Sequence, residues 1–149
     1  MFVIGIDPGT EGGIAVLNLK NNNLLLHKMP QTPKDVLDFL KKFKNFDGIF
    51  CVLEKVGGMP KMGGVSMFRL GQKYAWVEMA LLALEIRTEF ITPQKWQKEF
   101  GVGTKGTQTT SQWKNKLKAK AQSLFPKNEI FLWGSDAALI AEYGKRLNR

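Results

Sequence analysis

The chain has 149 residues, 44% of them hydrophobic, and a formal net charge of +9. That length suits one domain, residues 1–149, around one core, and the hydrophobic share excludes a disordered chain. No apolar run reaches about 18 residues and no signal peptide stands at the start, so neither a membrane protein nor an exported one is expected. A domain this basic is expected to meet nucleic acid or another anionic surface; the alternative is a protein that is merely soluble.

The opening stretch, MFVIGIDPGTEGGIAV, reads as a buried strand over Phe2–Asp7 that runs into a tight Pro8-Gly9 turn. Asp7 therefore ends a strand at the lip of a sheet. An ionised carboxylate there needs a partner, and a metal ion is the usual one. Gly13–Leu19 and Leu24–Lys28 follow as strands joined by the Asn21–Asn23 turn, and the three form an antiparallel meander. His27, the only histidine, sits at the end of that hairpin and is expected at the surface.

Thr32 and Pro33 open a helix as N-cap and first residue, with Val36, Leu37, Leu40 and Phe43 on its apolar face. Ile49–Leu53 is wholly apolar and ends in Glu54, the pattern of a central strand covered on both faces. Cys51 within it reads as a buried thiol of a reducing compartment, which places the protein in the cytoplasm. If this strand lies parallel to the first, Asp7 and Glu54 emerge at one edge, where open α/β sheets build their sites. A Glu54 paired with Lys55 in solvent is the other possibility.

Gly57–Gly64 is a glycine-rich loop carrying Lys61. A long helix over about Ser66–Ile86 is apolar on two faces: Met67, Leu70, Tyr74, Val77, Leu81 and Leu84 make one, and Gly71, Ala75, Met79 and Leu82 the other. Such a helix needs two partners, its own sheet and either the rest of the core or a second copy. Thr88–Ile91 is a strand, Thr92-Pro93 opens a helix with Lys95, Trp96 and Lys98, and Gly101–Gly106 is a loop holding Lys105. Thr110 or Ser111 caps the next helix, with Trp113, Lys114, Lys116, Lys118 and Lys120. Trp96 and Trp113 are expected to pack helices onto the sheet. From Pro93 to Gln122 seven lysines face one acid, Glu99, so this segment carries most of the net charge. Steps of two residues turn a helix by about 200°, so these lysines cannot share one face.

Glu129–Trp133 reads as a link, and Gly134-Ser135-Asp136 as the start of a last helix over Ala137–Lys145. Ser135 or Asp136 could serve only as its N-cap. The other use of Asp136 is to join Asp7 and Glu54, since Ala137 and Ala138 let the helix approach the sheet closely. Three acids on three element edges suit Mg²⁺ shared with a substrate phosphate. A pair of such ions about 4 Å apart could activate water and stabilise the leaving oxygen of a phosphodiester. Beside a basic body that holds a nucleic-acid backbone, this is the make-up of a nuclease.

The segments VIGIDPGTEGGIAV, VLEKV, LGQKYAWVEMAL, TPQKWQKEFGV and SDAALIAEYGKR, in that order and across nearly the whole chain, resemble the RuvC family of Holliday-junction resolvases, its phage-type members most of all. The resemblance implies an α/β chain with an RNase H-like fold, a central five-stranded mixed sheet flanked by helices. It implies a homodimer through the Ser66–Ile86 helix that makes paired symmetric nicks in four-way DNA junctions with Mg²⁺ or Mn²⁺. Its metal-binding and catalytic acids fall on Asp7, Glu54 and Asp136. Its catalytic lysine falls on Lys114, with Lys116 and Lys118 as rivals, and Gly71-Gln72 matches its dimer helix. Lys61, Lys95, Lys98, Lys105, Lys116 and Lys118 become DNA contacts, and Phe68 the candidate wedge, unless it belongs to the dimer core.

One position departs from the family. The bacterial enzymes carry a further acid one turn before the one matched to Asp136, and here that residue is Trp133. Either three acids suffice, or Glu11 or Ser135 with water completes the metal's shell, so one or two ions per site are expected. Other functions remain open: a nuclease for forks and flaps, a junction-binding module without chemistry, and an actin-like phosphotransferase, for which the chain is too short.

Overall fold

The computed structural model describes residues 1–148. The elements run β1 (Phe2–Asp7), β2 (Gly13–Asn18), β3 (Leu24–Lys28), α1 (Pro33–Lys41), β4 (Ile49–Glu54), α2 (Gly64–Ala83), β5 (Thr88–Ile91), α3 (Pro93–Glu99), α4 (Thr110–Leu124) and α5 (Leu132–Leu147). The strands form one mixed sheet in the order β3-β2-β1-β4-β5. The β1–β2 and β2–β3 pairs are antiparallel, and β1–β4 and β4–β5 are parallel. No helix among the described residues is long and apolar enough to cross a membrane.

Side-chain alternation sends each strand's apolar residues to two layers. Ile4, Ile6, Cys51 and Leu53 face α1 and α2, with Val36, Leu40, Val77 and Leu81 packed on them. Val3, Val52, Trp96, Leu117, Leu139 and Ile140 share the opposite layer with α3, α4 and α5. Apolar residues on both faces make β1 and β4 the covered centre of the sheet, as their unbroken hydrophobic runs require.

The helix ends correct the sequence expectations at several points. In α1 Thr32 caps as expected, its Oγ1 accepting from the Asp35 N–H at 3.1 Å. The buried face is Val36, Phe39, Leu40 and Phe43, however, and Leu37 is turned outward. α2 starts at Gly64 and stops at Ala83, short of Ile86. Glu85 takes a left-handed φ of 57°, while Glu85 N–H reaches the Leu82 carbonyl and Ile86 N–H the Leu81 carbonyl, so a Schellman motif closes the helix. Thr109, not Thr110 or Ser111, caps α4 in a reciprocal box with Gln112. α5 starts four residues before Asp136, at Leu132 with Phe131 as N-cap, so neither Ser135 nor Asp136 is the cap. The stacked rings of Phe131 and Trp133 and a hydrogen bond from Ser135 Oγ to the Phe131 carbonyl secure this first turn.

Two glycines let α5 lie on β1. A Cβ on Gly5 would collide with the backbone of Ala137 and Ala141, coming within 2.8 Å of the Ala141 Cα. A Cβ on Gly144 would stand 2.6 Å from Val3 Cγ1 and 2.9 Å from Val52 Cγ2. This close crossing brings the second turn of α5, and with it Asp136, over the end of β1.

Candidate active site

The parallel register sets Ile6 opposite Leu53, so the next residues, Asp7 and Glu54, leave neighbouring strands at the same edge. Asp7 is held by its own turn: Oδ1 accepts the Gly9 N–H at 3.0 Å. That turn needs Gly12, where a Cβ would stand 2.8 Å from the Asp7 Cγ. Glu54 is held from α3, its Oε2 accepting the Trp96 Nε1–H at 2.6 Å. Trp96 is fully buried. Asp136 reaches the same edge from α5.

The electrostatics show that these side chains share one site. Burial, then the charge of Asp7, pushes Glu54 up to about 8; the Trp96 hydrogen bond opposes the rise and Asp136 adds to it. Burial, then Asp7, pushes Asp136 up to about 7 against the pull of Lys114. Burial also raises Asp7, against the Gly9 hydrogen bond and Lys114. Like charges forced together in a poorly solvated place are what raise a carboxylate. Among the described residues no ion pair joins any of the three to a basic side chain.

These are hard oxygen donors with uncompensated charge, the ligand chemistry of Mg²⁺ or Mn²⁺. Among the described residues no three acidic, histidine or cysteine side chains stand close enough to enclose an ion unaided. The two observations agree for a cation such as Mg²⁺, which takes one or two carboxylates and completes its shell with water and substrate phosphate. A cleft of about 480 Å³ opens over Asp7 and Glu54, walled by Leu70, Thr92, Pro93 and the loop after β4.

Two solved structures share this fold. Thermus thermophilus RuvC in complex with a Holliday junction substrate superposes with a TM-score of 0.68 at 13% identity, over 99% of this chain and 96% of that one. A second Thermus thermophilus RuvC structure gives 0.64 at 17% identity, over 99% and 97%. The chain has the RuvC fold. No protein-family model matches the sequence, and no curated protein does.

On this RuvC fold the lysines expected from sequence separate into groups. Lys114 is the one whose charge reaches both Asp7 and Asp136. Its rival Lys116 places its ammonium 6.0 Å from the Trp113 ring centroid, and Lys118 is half-buried. Lys98 and Lys105 line a common cleft of about 830 Å³ between α3 and the Gly101–Gly106 loop. Lys95 is exposed on α3, and Lys61 on the loop before α2. Phe68 is 67% exposed on α2, and Gly71 and Gln72 are exposed on the same helix.

Glu11 is exposed on the β1–β2 turn, and the Ser135 hydroxyl is engaged with its own helix. Trp133 stands one turn before Asp136 on α5, so the position that the resemblance assigned to a further acid holds no carboxylate. His27 lies at the surface, its ring 4.3 Å from Phe39. Glu54 is not paired with Lys55. Its partner is Trp96, which packs in the core as expected and also donates to Glu54, a contact that the sequence reading did not name. The signal was present: a buried indole must find an acceptor for its N–H.

Proposed function

We propose that this chain is a metal-dependent endonuclease that resolves four-way DNA junctions. The observation that carries the reading is the set of Asp7, Glu54 and Asp136, mutually repelling and facing Lys114, at one edge of a RuvC-fold sheet. Asp7, Glu54 and Asp136 would hold Mg²⁺ or Mn²⁺, one or two ions per site. Such an ion supplies the charge that polarises a phosphodiester and acidifies a water. Gly9 and Trp96 keep Asp7 and Glu54 in fixed orientations. Lys114 stabilises the negative charge that builds on the phosphate. Lys61, Lys95, Lys98, Lys105, Lys116 and Lys118 hold the DNA backbone, and Lys98 and Lys105 do so from one cleft.

The second part of the proposal is a homodimer. Val65, Phe68, Met79 and Leu82 are exposed along α2, which on its other side is buried against the sheet. An apolar face of this kind is covered in a stable protein, and a second copy of α2 covers it with the same residues. Two copies bring two sites, one for each strand to be cut. In this reading Phe68 either unstacks a junction base or joins that contact. The whole chain is one nuclease domain acting on cytoplasmic DNA.

The test is cleavage of a synthetic four-way junction, with and without Mg²⁺, against linear duplex, flap and fork. Paired symmetric nicks in the junction alone are expected. Cutting of every branched form would make the chain a general debranching nuclease, and binding without cutting in Mg²⁺ or Mn²⁺ would make it a binding module. Asp7→Asn should abolish cutting and spare junction binding.

A further inference from the structure

Trp133 occupies the position where the family resemblance implied a fourth acid, and its surroundings give it another use. Asp7 pairs with Gly13, and Gly13 with Lys28, so these three residues stand side by side on β1, β2 and β3 at the edge that carries the carboxylates. Two strand spacings separate Lys28 from Asp7, about 10 Å. Above them lies the first turn of α5. The Trp133 ring packs over Gly13, where a Cβ would stand 3.1 Å from Trp133 Cε3. The Phe131 ring stacks on Trp133 at 5.7 Å and 7°, and the Lys28 ammonium is 5.9 Å from the Trp133 centroid.

Beneath Trp133 is a cleft of about 240 Å³, bounded by Thr10, Glu11, Gly12, Lys28, Met29 and Gln31. Gly12 is also the residue that shapes the Asp7 turn, so this cleft and the carboxylate site share a wall. The cleft is smaller than the usual range for drug-sized ligands, about 300–1,000 Å³. It is too small for a base pair and has room for one flat ring. Its walls supply an aromatic face, one cation, Lys28, for a flanking phosphate, and one carboxylate, Glu11, able to accept from the N–H groups of a base; together they suit an unpaired nucleobase.

We propose that this cleft takes a single unstacked base of the strand being cut, held against Trp133, with Lys28 on the adjoining phosphate. The inference rests on the junction-nuclease reading and adds to it a base-holding site. At the stacked rise of about 3.4 Å per nucleotide, a 10 Å offset places that base within three nucleotides of the cut, and closer where the strand is stretched.

The experiment measures junction binding by the Asp7→Asn protein, with an abasic site placed in turn at each of three positions on either side of the cut. One position should weaken binding by roughly 10-fold to 100-fold. The same abasic site should add no further loss in Asp7→Asn/Trp133→Leu, which keeps an apolar cover over Gly13 but no π face. As a second variant, Lys28→Ala at an exposed residue should reduce the salt slope of binding by about one. If every abasic position is neutral, or if the loss persists unchanged with Trp133→Leu, the base-holding site is wrong and the nuclease reading stands. If Asp7→Asn binds the junction no better than linear duplex, the junction reading falls and this site with it.

Discussion

The two carboxylate oxygens of Glu54 are not equivalent. Oε2 accepts the Trp96 N–H at 2.6 Å, and Oε1 has no hydrogen-bond partner among the described residues. Trp96→Phe keeps an aromatic ring in the core and deletes the donor. Metal affinity should fall by about 10-fold to 100-fold, the usual effect of losing an outer hydrogen bond to a ligand. Titration calorimetry with Mn²⁺ reads this directly, and unchanged affinity would reduce Trp96 to packing. The raised carboxylates make a second prediction. Glu54 and Asp136 are pushed up to about 8 and about 7, well above unfolded carboxylates. Between those limits the folded chain holds more protons than the unfolded one, so this contribution to stability is full below about pH 4 and is lost as pH rises through 8. In EDTA the melting temperature should drop by about 3–6 °C between pH 6 and pH 8.5, and saturating Mg²⁺ should restore it. Scanning calorimetry checks this, and a Tm in EDTA that is flat or rising with pH would remove the uncompensated charge from the account.

α5 carries Asp136 only because β1 lets it come close. Gly5 faces the helix backbone between Ala137 and Ala141, which has no flexible side chain there to move aside. Gly5→Ala must therefore push the whole helix outward. Overpacking of this kind costs about 1–3 kcal/mol, and the upper end is expected where backbone meets backbone. Urea denaturation should show that loss, and cutting should fall further than stability because Asp136 moves with the helix. Retained cutting in a folded Gly5→Ala protein would mean that Asp136 is not needed at the β1 edge.

The molecule as a whole carries +9, and seven of its lysines lie between Pro93 and Gln122, on α3, α4 and the loop joining them. Gln94 walls both the cleft of Lys98 and Lys105 and the cleft over Asp7 and Glu54, so a polyanion held in one can reach the other. Junction affinity should therefore fall steeply with salt, along a straight line of log K against log salt concentration. Replacing both Lys98 and Lys105 by alanine should flatten that slope by about two, since each lysine accounts for about one released counterion. A slope that does not change would place the DNA elsewhere than their shared cleft.

Much of this was legible in the residues. Phe2–Asp7 and Ile49–Glu54 are apolar runs that each end in one acid, and runs of that kind are covered on both faces and so central. Their lying parallel and adjacent, which sets Asp7 and Glu54 at a common edge, was a condition in the sequence and is met in the sheet. The start of α5 was not legible, because in its first turn Trp133 lies over Gly13, a contact that only the folded sheet supplies. Lys114, put first among evenly spaced lysines by the resemblance, reaches Asp7 and Asp136 because α4 packs on α5. Trp96 and Glu54 are 42 residues apart. Periodicity and turn chemistry act over a few residues, and they set the elements and which face of each is apolar. Side chains that meet across the sheet edge are set by packing between elements, so the two acid-ended strands were a property of the sequence, while the pairing of their acids, the Trp96 clamp, the position of Asp136 within α5 and the cleft under Trp133 were decided by the tertiary structure.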